Sequence, residues 1–501
     1  MTDNQDYKEY ISILQKAANL NYASAVLQWD QEVYMPPKGA THRARQLATL
    51  AAQAHELLTG AHLGQLLNKL ASATDLTENE KANIQRSSED FTKNSKLPAE
   101  FVETLSMQTS ECFNAWIDAR QKNDFSIFAP SLTKMVQLKR QQAALYGYEN
   151  HPYNALLDEY EPGATVSMLD HVFEGIKQQL PLIFNKIKAT PQVNDAFFYK
   201  HFPKQAQWDF SLDVLRKMGY DFEAGRQDYS EHPFTTSFSP GDVRVTTRVS
   251  ENNYASLLWS TIHEGGHALY EQGLPMDQYG LPLGSAASLG IHESQSRLWE
   301  NCIGRGIDFW TASYPDLRKR FPEQLTDVSA TDFFKAANKV EPSLIRTEAD
   351  EVSYHFHVLI RYELEKALIE GTLEVKDLAG AWNEQYQKYL GITPPDHKTG
   401  VLQDVHWSHG SFGYFPTYTL GSFYAAQFYA RALADLPGLS EDIAKGDTTR
   451  LLGWLRKNIH CHGRKYYSEE LCTMVTGSGL DPHYFIRYIK DKYEKVYGIQ
   501  F

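Results

Sequence analysis

Through the first 190 residues the apolar side chains recur at helical spacing, and that regularity commits this part of the chain to packed helices. Val102, Leu105, Cys112 and Trp116 form one such stripe behind Pro98, a residue suited to the first turn of a helix. Leu132, Met135, Val136, Ala143 and Tyr146 form another behind Pro130 and stop at Gly147. Thr77 and Glu80 have the spacing of a capping box, in which each side chain satisfies the other's backbone N–H. They open a further helix beyond the Ala- and Leu-rich stretch from Gln46 to Leu70.

The period changes between Phe234 and Val249. Phe234, Thr236 and Phe238, then Val243, Val245, Thr247 and Val249, alternate with period two around Ser239-Pro240-Gly241-Asp242, which predicts a small β-hairpin closed by a turn. Further on, Ala255 to Tyr270, Glu293 to Phe309, Ile345 to Glu370 and Ser422 to Leu433 read as helices. Gly391 to Pro416, rich in Gly, Pro, His and Asp, reads as a loop that carries chemistry. No repeat, low-complexity tract or Gly/Ser linker divides the sequence, so one catalytic domain over residues 1–501 is expected. Its helical N-terminal part runs to about residue 230 and its metal and substrate motifs lie between 232 and 424.

Composition narrows the function from the other side. The 49 basic residues face 62 acidic ones, and a net charge of -13 works against capture of nucleic acid or an anionic membrane surface. Cys112, Cys302, Cys461 and Cys472 form no C-x-x-C pair and read as buried, reduced thiols. The first ten residues lack the basic start and apolar run of a secretory signal, and no stretch approaches the roughly 18 apolar residues of a membrane span. A soluble, cytoplasmic protein without membrane partners is expected.

His263-Glu264-Gly265-Gly266-His267 fits H-E-x-x-H. Residues four apart lie one above the other on a helix, so both imidazoles can reach one ion. Glu264 points about 100° away, where it cannot chelate with them but can reach a water held by the ion, as a general base does. Two adjacent glycines each cost about 1 kcal/mol inside a helix, which implies that another backbone or a ligand comes close there. The surrounding stretch from Leu257 to Tyr270 is otherwise apolar, and two histidines with a glutamate buried in it need partners to offset desolvation. A cation supplies one. A zinc site of this kind takes three protein ligands and keeps a fourth position open. Glu271 lies eight residues, about 12 Å, from His263 on a straight helix and cannot complete the set. His292-Glu293 opens a second helix, and Glu293 is the candidate third ligand. Glu300, seven residues on, faces the same way and is either an orienting partner for a ligating histidine or a surface glutamate.

These residues resemble the thermostable carboxypeptidase Taq family of zinc metallocarboxypeptidases. The resemblance rests on His232-Pro233-Phe234, Asp242-Val-Arg244-Val-Thr246, His263-Glu264-Gly-Gly-His267, His292-Glu293-Ser294-Gln295, Ile345-Arg346-Thr-Glu-Ala349-Asp350 and Gly400-Val-Leu-Gln403-Asp404-Val-His406-Trp407. They stand in the family's order over about 170 residues, and Trp29-Asp30 with Met35-Pro36 extends the likeness towards the N-terminus. It implies an all-α, neurolysin-like fold, with two helical halves flanking a deep substrate groove and one very small sheet. It implies removal of single residues from peptide C-termini with broad specificity, one zinc per chain with cobalt as a possible substitute, and a homodimer.

The same resemblance gives His409 and Tyr418 the spacing of the oxyanion donors in neurolysin-type enzymes, with Tyr414 beside them as a substrate contact; the alternative is that both tyrosines are packing residues at a helix entry. An exopeptidase must also read a free carboxylate, which the planar fork of an arginine does well. Arg244 and Arg346 are the candidates, and each can instead be a structural ion pair, Arg346 with Asp350 four residues on. Gln403 and His406 are substrate-binding candidates, His406 being alternatively a ring anchored by Asp404. A dipeptidyl carboxypeptidase or oligopeptidase would share the metal chemistry, and a silent peptide-binding scaffold would keep the fold.

Overall fold

Local signals start the helices of the computed structural model, which describes residues 4–501. Thr77 N donates to the Glu80 carboxylate at 2.9 Å and Glu80 N to the Thr77 hydroxyl at 3.4 Å, and the helix Glu78–Ser95 follows. The Ala- and Leu-rich stretch is two helices, Ala40–Thr59 and Ala61–Leu70, broken where Gly60 turns extended. Pro98 caps Ala99–Lys122, whose buried line is Phe101, Gln108, Cys112 and Ala119. Val102, expected on that line, is turned outward and is 42% exposed. The helix expected behind Pro130 begins earlier, at Phe125, because Asp124 caps it by accepting from Ser126 N at 2.9 Å. Cys112, Cys302 and Cys472 are buried and Cys461, against expectation, is exposed.

The hairpin is present as β2 (Thr235–Ser239) antiparallel to β3 (Asp242–Thr247), and a third strand, β1 (Gly225–Tyr229), runs parallel to β3 in the order β1-β3-β2. The sequence of β1, Gly-Arg-Gln-Asp-Tyr, has no alternation to betray it. Its first residue must be glycine, since a Cβ there would stand 2.0 Å from the Val243 carbonyl oxygen. The architecture is otherwise helical.

Three expected helices differ from the observed ones. Glu293 lies inside Leu289–Arg297 rather than opening it, because Ser288 accepts from Ile291 N at 2.9 Å and caps the helix four residues earlier. Leu298–Gly304 then winds as π-helix before a separate helix, Ile307–Arg320. In place of one helix from Ile345, a 3₁₀ turn Arg346–Glu348 precedes Tyr354–Glu370; Asp350 accepts from Val352 N and Ser353 N and caps that interval as a turn. The last, expected from Ser422, starts at Pro416 and ends at Asp435.

The chain forms two compact units. The first takes in the chain up to Ser95, Asn194–Ala337 and Tyr424–Gly479, and contains the sheet and the H-E-x-x-H helix. The second takes in Lys96–Val193, Asn338–Phe423 and Leu480–Phe501. Among the described residues no helix is long and apolar enough to cross a membrane.

Candidate active site

The helix Tyr254–Glu271 is buried along Leu257, Leu258, Ile262, Ala268 and Leu269, and packs against β2, β3 and the helix Leu289–Arg297. Its two glycines have separate reasons. A Cβ on Gly266 would stand 2.7 Å from the Gln295 carbonyl oxygen and 2.7 Å from Ser296 Cα, so glycine lets the backbones of the two helices close together. A Cβ on Gly265 would meet the side-chain ends of Leu215 and Met218 at 2.7 and 2.9 Å. The close approach of the helices brings Glu293 to the two histidines.

His263 Nε2 lies 3.7 Å, and His267 Nε2 3.5 Å, from Glu293 Oε2. One donor atom from each of the three falls within 4.8 Å of the others. Bonds of about 2.1 Å to a tetrahedral zinc separate neighbouring ligand atoms by about 3.4 Å, so the donor set and its spacing fit such an ion. Glu293 Oε1 is occupied by Arg297 Nε at 2.6 Å, which leaves Oε2 facing the histidines.

Charge around the donors is balanced. His263 Nδ1 is 2.9 Å from Glu300 Oε2; Arg297 Nη1 donates to the same oxygen at 3.2 Å and Arg305 Nη2 to Glu300 Oε1 at 3.0 Å. Burial pushes the Glu293 and Glu300 carboxyls up, but Arg297 with His263 and His267 at Glu293, and Arg297 with His263 and Arg305 at Glu300, outweigh it and hold both well below the usual range, ionised. Burial opposes protonation of His263, yet Glu293 and Glu300 carry its pKa upward. For His267 burial and His292 act together and lower it.

Glu264 stands on the same helix outside the ligand trio, its Oε2 2.7 Å and its backbone oxygen 2.9 Å from the Thr235 hydroxyl on β2. Arg244, on β3, donates to Asp242 through Nε at 2.9 Å and Nη2 at 2.8 Å, and lies 4.3 Å over Trp29 and 4.9 Å over Phe238. Its Nη1 has no hydrogen-bond partner among the described residues.

The other candidates belong to the second unit. Arg346 is buried and pairs with Asp404, not with Asp350: Nε and Nη2 donate to Asp404 Oδ1 at 3.0 and 2.9 Å, and Nη1 to the Tyr354 hydroxyl at 3.1 Å. The turn at Asp350 removes the helical spacing on which that i, i+4 pair depended. Gln403 Oε1 accepts from Arg346 N and Arg361 Nη2. Arg346 also lies 4.9 Å over the Tyr418 ring. His406 Nε2 is 3.3 Å from the Tyr418 hydroxyl, and the Tyr414 ring centre is 5.3 Å from those of both His406 and Tyr418. Burial and Arg346 push His406 down to about 3, so the ring is neutral. His409 is exposed, its ring 5.1 Å from Phe113.

Sequence reasoning gave no role to Arg297, to Thr235 or to Trp29, which it noted only as part of the family likeness. Arg297 had a legible signal, standing four residues after Glu293 and three before Glu300. Thr235 and Trp29 reach their partners only through the tertiary fold and had none.

A family model described as carboxypeptidase Taq (M32) metallopeptidase matches residues 9–493. Thermostable carboxypeptidase 1 of Thermus thermophilus is 40% identical over 511 residues, covering 99% of this chain and all of that protein. Carboxypeptidase 1 of Bacillus subtilis is 39% identical over 493 residues, with 98% of each chain covered. The crystal structure of an M32 carboxypeptidase from Deinococcus radiodurans superposes with a TM-score of 0.97 at 40% identity, covering 99% of this chain and all of that one.

Proposed function

Since the chain belongs to the carboxypeptidase Taq (M32) family of metallopeptidases, we propose that it releases single residues from the free C-termini of peptides, with broad specificity and one zinc ion per chain. Cobalt is an alternative ion, and the working form is a homodimer in the cytoplasm. The observation that supports the metal chemistry is the trio His263, His267 and Glu293, whose donor atoms lie within 4.8 Å of one another, with Glu264 one residue from His263 on a buried helix.

When bound, zinc supplies a Lewis acid that lowers the pKa of a water and polarises the scissile carbonyl. Glu264, held at Oε2 by the Thr235 hydroxyl, takes the proton of the attacking water and delivers it to the leaving amine. Glu300 accepts from His263 Nδ1 and so keeps its Nε2 lone pair directed at the site. Arg244 reads the substrate carboxylate with the Nη1 edge that Asp242 leaves open. The family resemblance gives oxyanion donation to His409 and Tyr418 and substrate contacts to Arg346, Gln403, His406 and Tyr414.

A mass-spectrometric time course on a mixed set of peptides, each with a free and an amidated C-terminus, tests this reading. The expected product is a ladder losing one residue at a time from free ends alone. Internal or dipeptide cuts, or cutting of amidated ends, would move the assignment to a dipeptidyl carboxypeptidase or oligopeptidase. No cutting by the zinc-loaded protein would leave a peptide-binding scaffold. Arg244→Ala removes a charge-assisted hydrogen-bonding group of about 1.5–3 kcal/mol, so kcat/KM on free-ended peptides should fall roughly 10- to 100-fold. An unchanged value would take Arg244 out of carboxylate recognition.

A further inference from the structure

The two histidines of the trio are held in different ways. His263 Nδ1 meets a carboxylate directly, that of Glu300. His267 Nδ1 instead meets a second imidazole, His292 Nδ1 at 2.6 Å, and His292 Nε2 lies 2.9 Å from Glu271 Oε1. The His267 and His292 rings are 4.6 Å apart, and Tyr270 packs edge-on against His292 at 5.3 Å. Glu271 comes from the last residue of the histidine helix and His292 from the first turns of the helix that carries Glu293, so both ends of the chain of bonds are set by the elements that set the ligands.

Proton positions follow from this geometry. A ring that offers its Nε2 lone pair to an ion as a neutral imidazole carries its hydrogen on Nδ1. His267 Nδ1–H therefore donates to His292 Nδ1, which leaves the hydrogen of His292 on Nε2, where Glu271 accepts it. Every polar atom along the path is then used once. The path also governs charge. A carboxylate directly on His267 would place a further anion beside Glu264, Glu293 and Glu300, whereas a ring between them keeps Glu271 one imidazole further away.

We propose that His292 and Glu271 are positioning residues: their relay fixes the Nδ1–H tautomer of His267 and thereby sets how tightly the site holds its metal. The proposal rests on the reading of His263, His267 and Glu293 as ligands.

Zinc affinity of the full-length protein, measured by competition with a chromophoric chelator, tests it. His292→Phe removes the acceptor and should weaken zinc binding about 10- to 100-fold. His292→Asn puts an amide oxygen where Nδ1 stood, for the same Nδ1–H, and should recover most of that loss, a rescue that a role in packing would not produce. Unchanged affinity in His292→Phe, or equal losses in both variants, would overturn the relay. ¹⁵N–¹H correlation spectra of the zinc-loaded native protein give a reading that needs no variant: hydrogen on Nδ1 of His267 and on Nε2 of His292 is expected, and hydrogen on Nδ1 of His292 would overturn it. His263→Ala separates the two levels. Native zinc affinity in that variant would mean that the ligand reading is wrong, while loss of zinc there with native affinity in His292→Phe would mean that the relay alone is.

Discussion

Glu264→Gln should keep its fold and its metal and lose about 10²- to 10⁴-fold in kcat, the usual worth of a positioned general base. The substitution is nearly isosteric, and the amide oxygen still accepts the Thr235 hydroxyl hydrogen bond that orients the side chain. What it cannot do is take a proton from water. Because Glu264 lies outside the trio that offers donor atoms to the ion, metal content by elemental analysis should match that of the native protein. KM should change little, since the loss is confined to the transition state. Activity within tenfold of native would remove Glu264 from proton transfer.

Arg297→Met should destabilise the metal-free protein by about 3–5 kcal/mol, the penalty for leaving buried charge without its partner. Arg297 is the cation of both carboxylates: it donates to Glu293 Oε1 at 2.6 Å and to Glu300 Oε2 at 3.2 Å, from a side chain only 15% exposed. Arg305 still serves Glu300 in the variant, but Glu293 loses the arginine that holds its Oε1. The pH dependence has a definite sign. Both carboxyls are held below their ordinary 4.5, so the stabilisation is full above that pH and is lost as pH falls through their lowered values. The gap between native and variant is therefore widest near neutrality and narrows below about pH 4.5. Urea unfolding of the two metal-free proteins at pH 7 and pH 4 measures it, and equal stability at pH 7 would contradict the assignment. Zinc should narrow the gap, since the ion replaces the missing positive charge at Glu293.

Sequence carried the centre of the site further than its surroundings. His263, Glu264 and His267 are legible because helical spacing alone sets their geometry, and of the two glycines Gly266 meets a close backbone, that of Gln295–Ser296, while Gly265 meets side chains. Glu293 was reachable as a candidate, but its place in the helix depended on a cap at Ser288, and the π-helical stretch after it breaks the register that periodicity assumes. Arg346 was read against Asp350, the acid one helical turn further on, whereas its partner is Asp404, 58 residues away. Glu271 was read only as too distant to ligate, and nothing in the sequence tells that His292 stands between it and His267. Strand β1 was invisible for a related reason: it is held by backbone pairing to β3 and carries no apolar alternation.

The most direct test of the whole account is a zinc titration of the metal-stripped protein, followed by release of C-terminal residues from a free-ended peptide. Activity should rise from near zero, in proportion to added zinc, and level off at one equivalent per chain, while His263→Ala gains nothing over the same range. Release of residues without metal, or a His263→Ala titration that matches the native one, would contradict a single catalytic ion held by His263, His267 and Glu293.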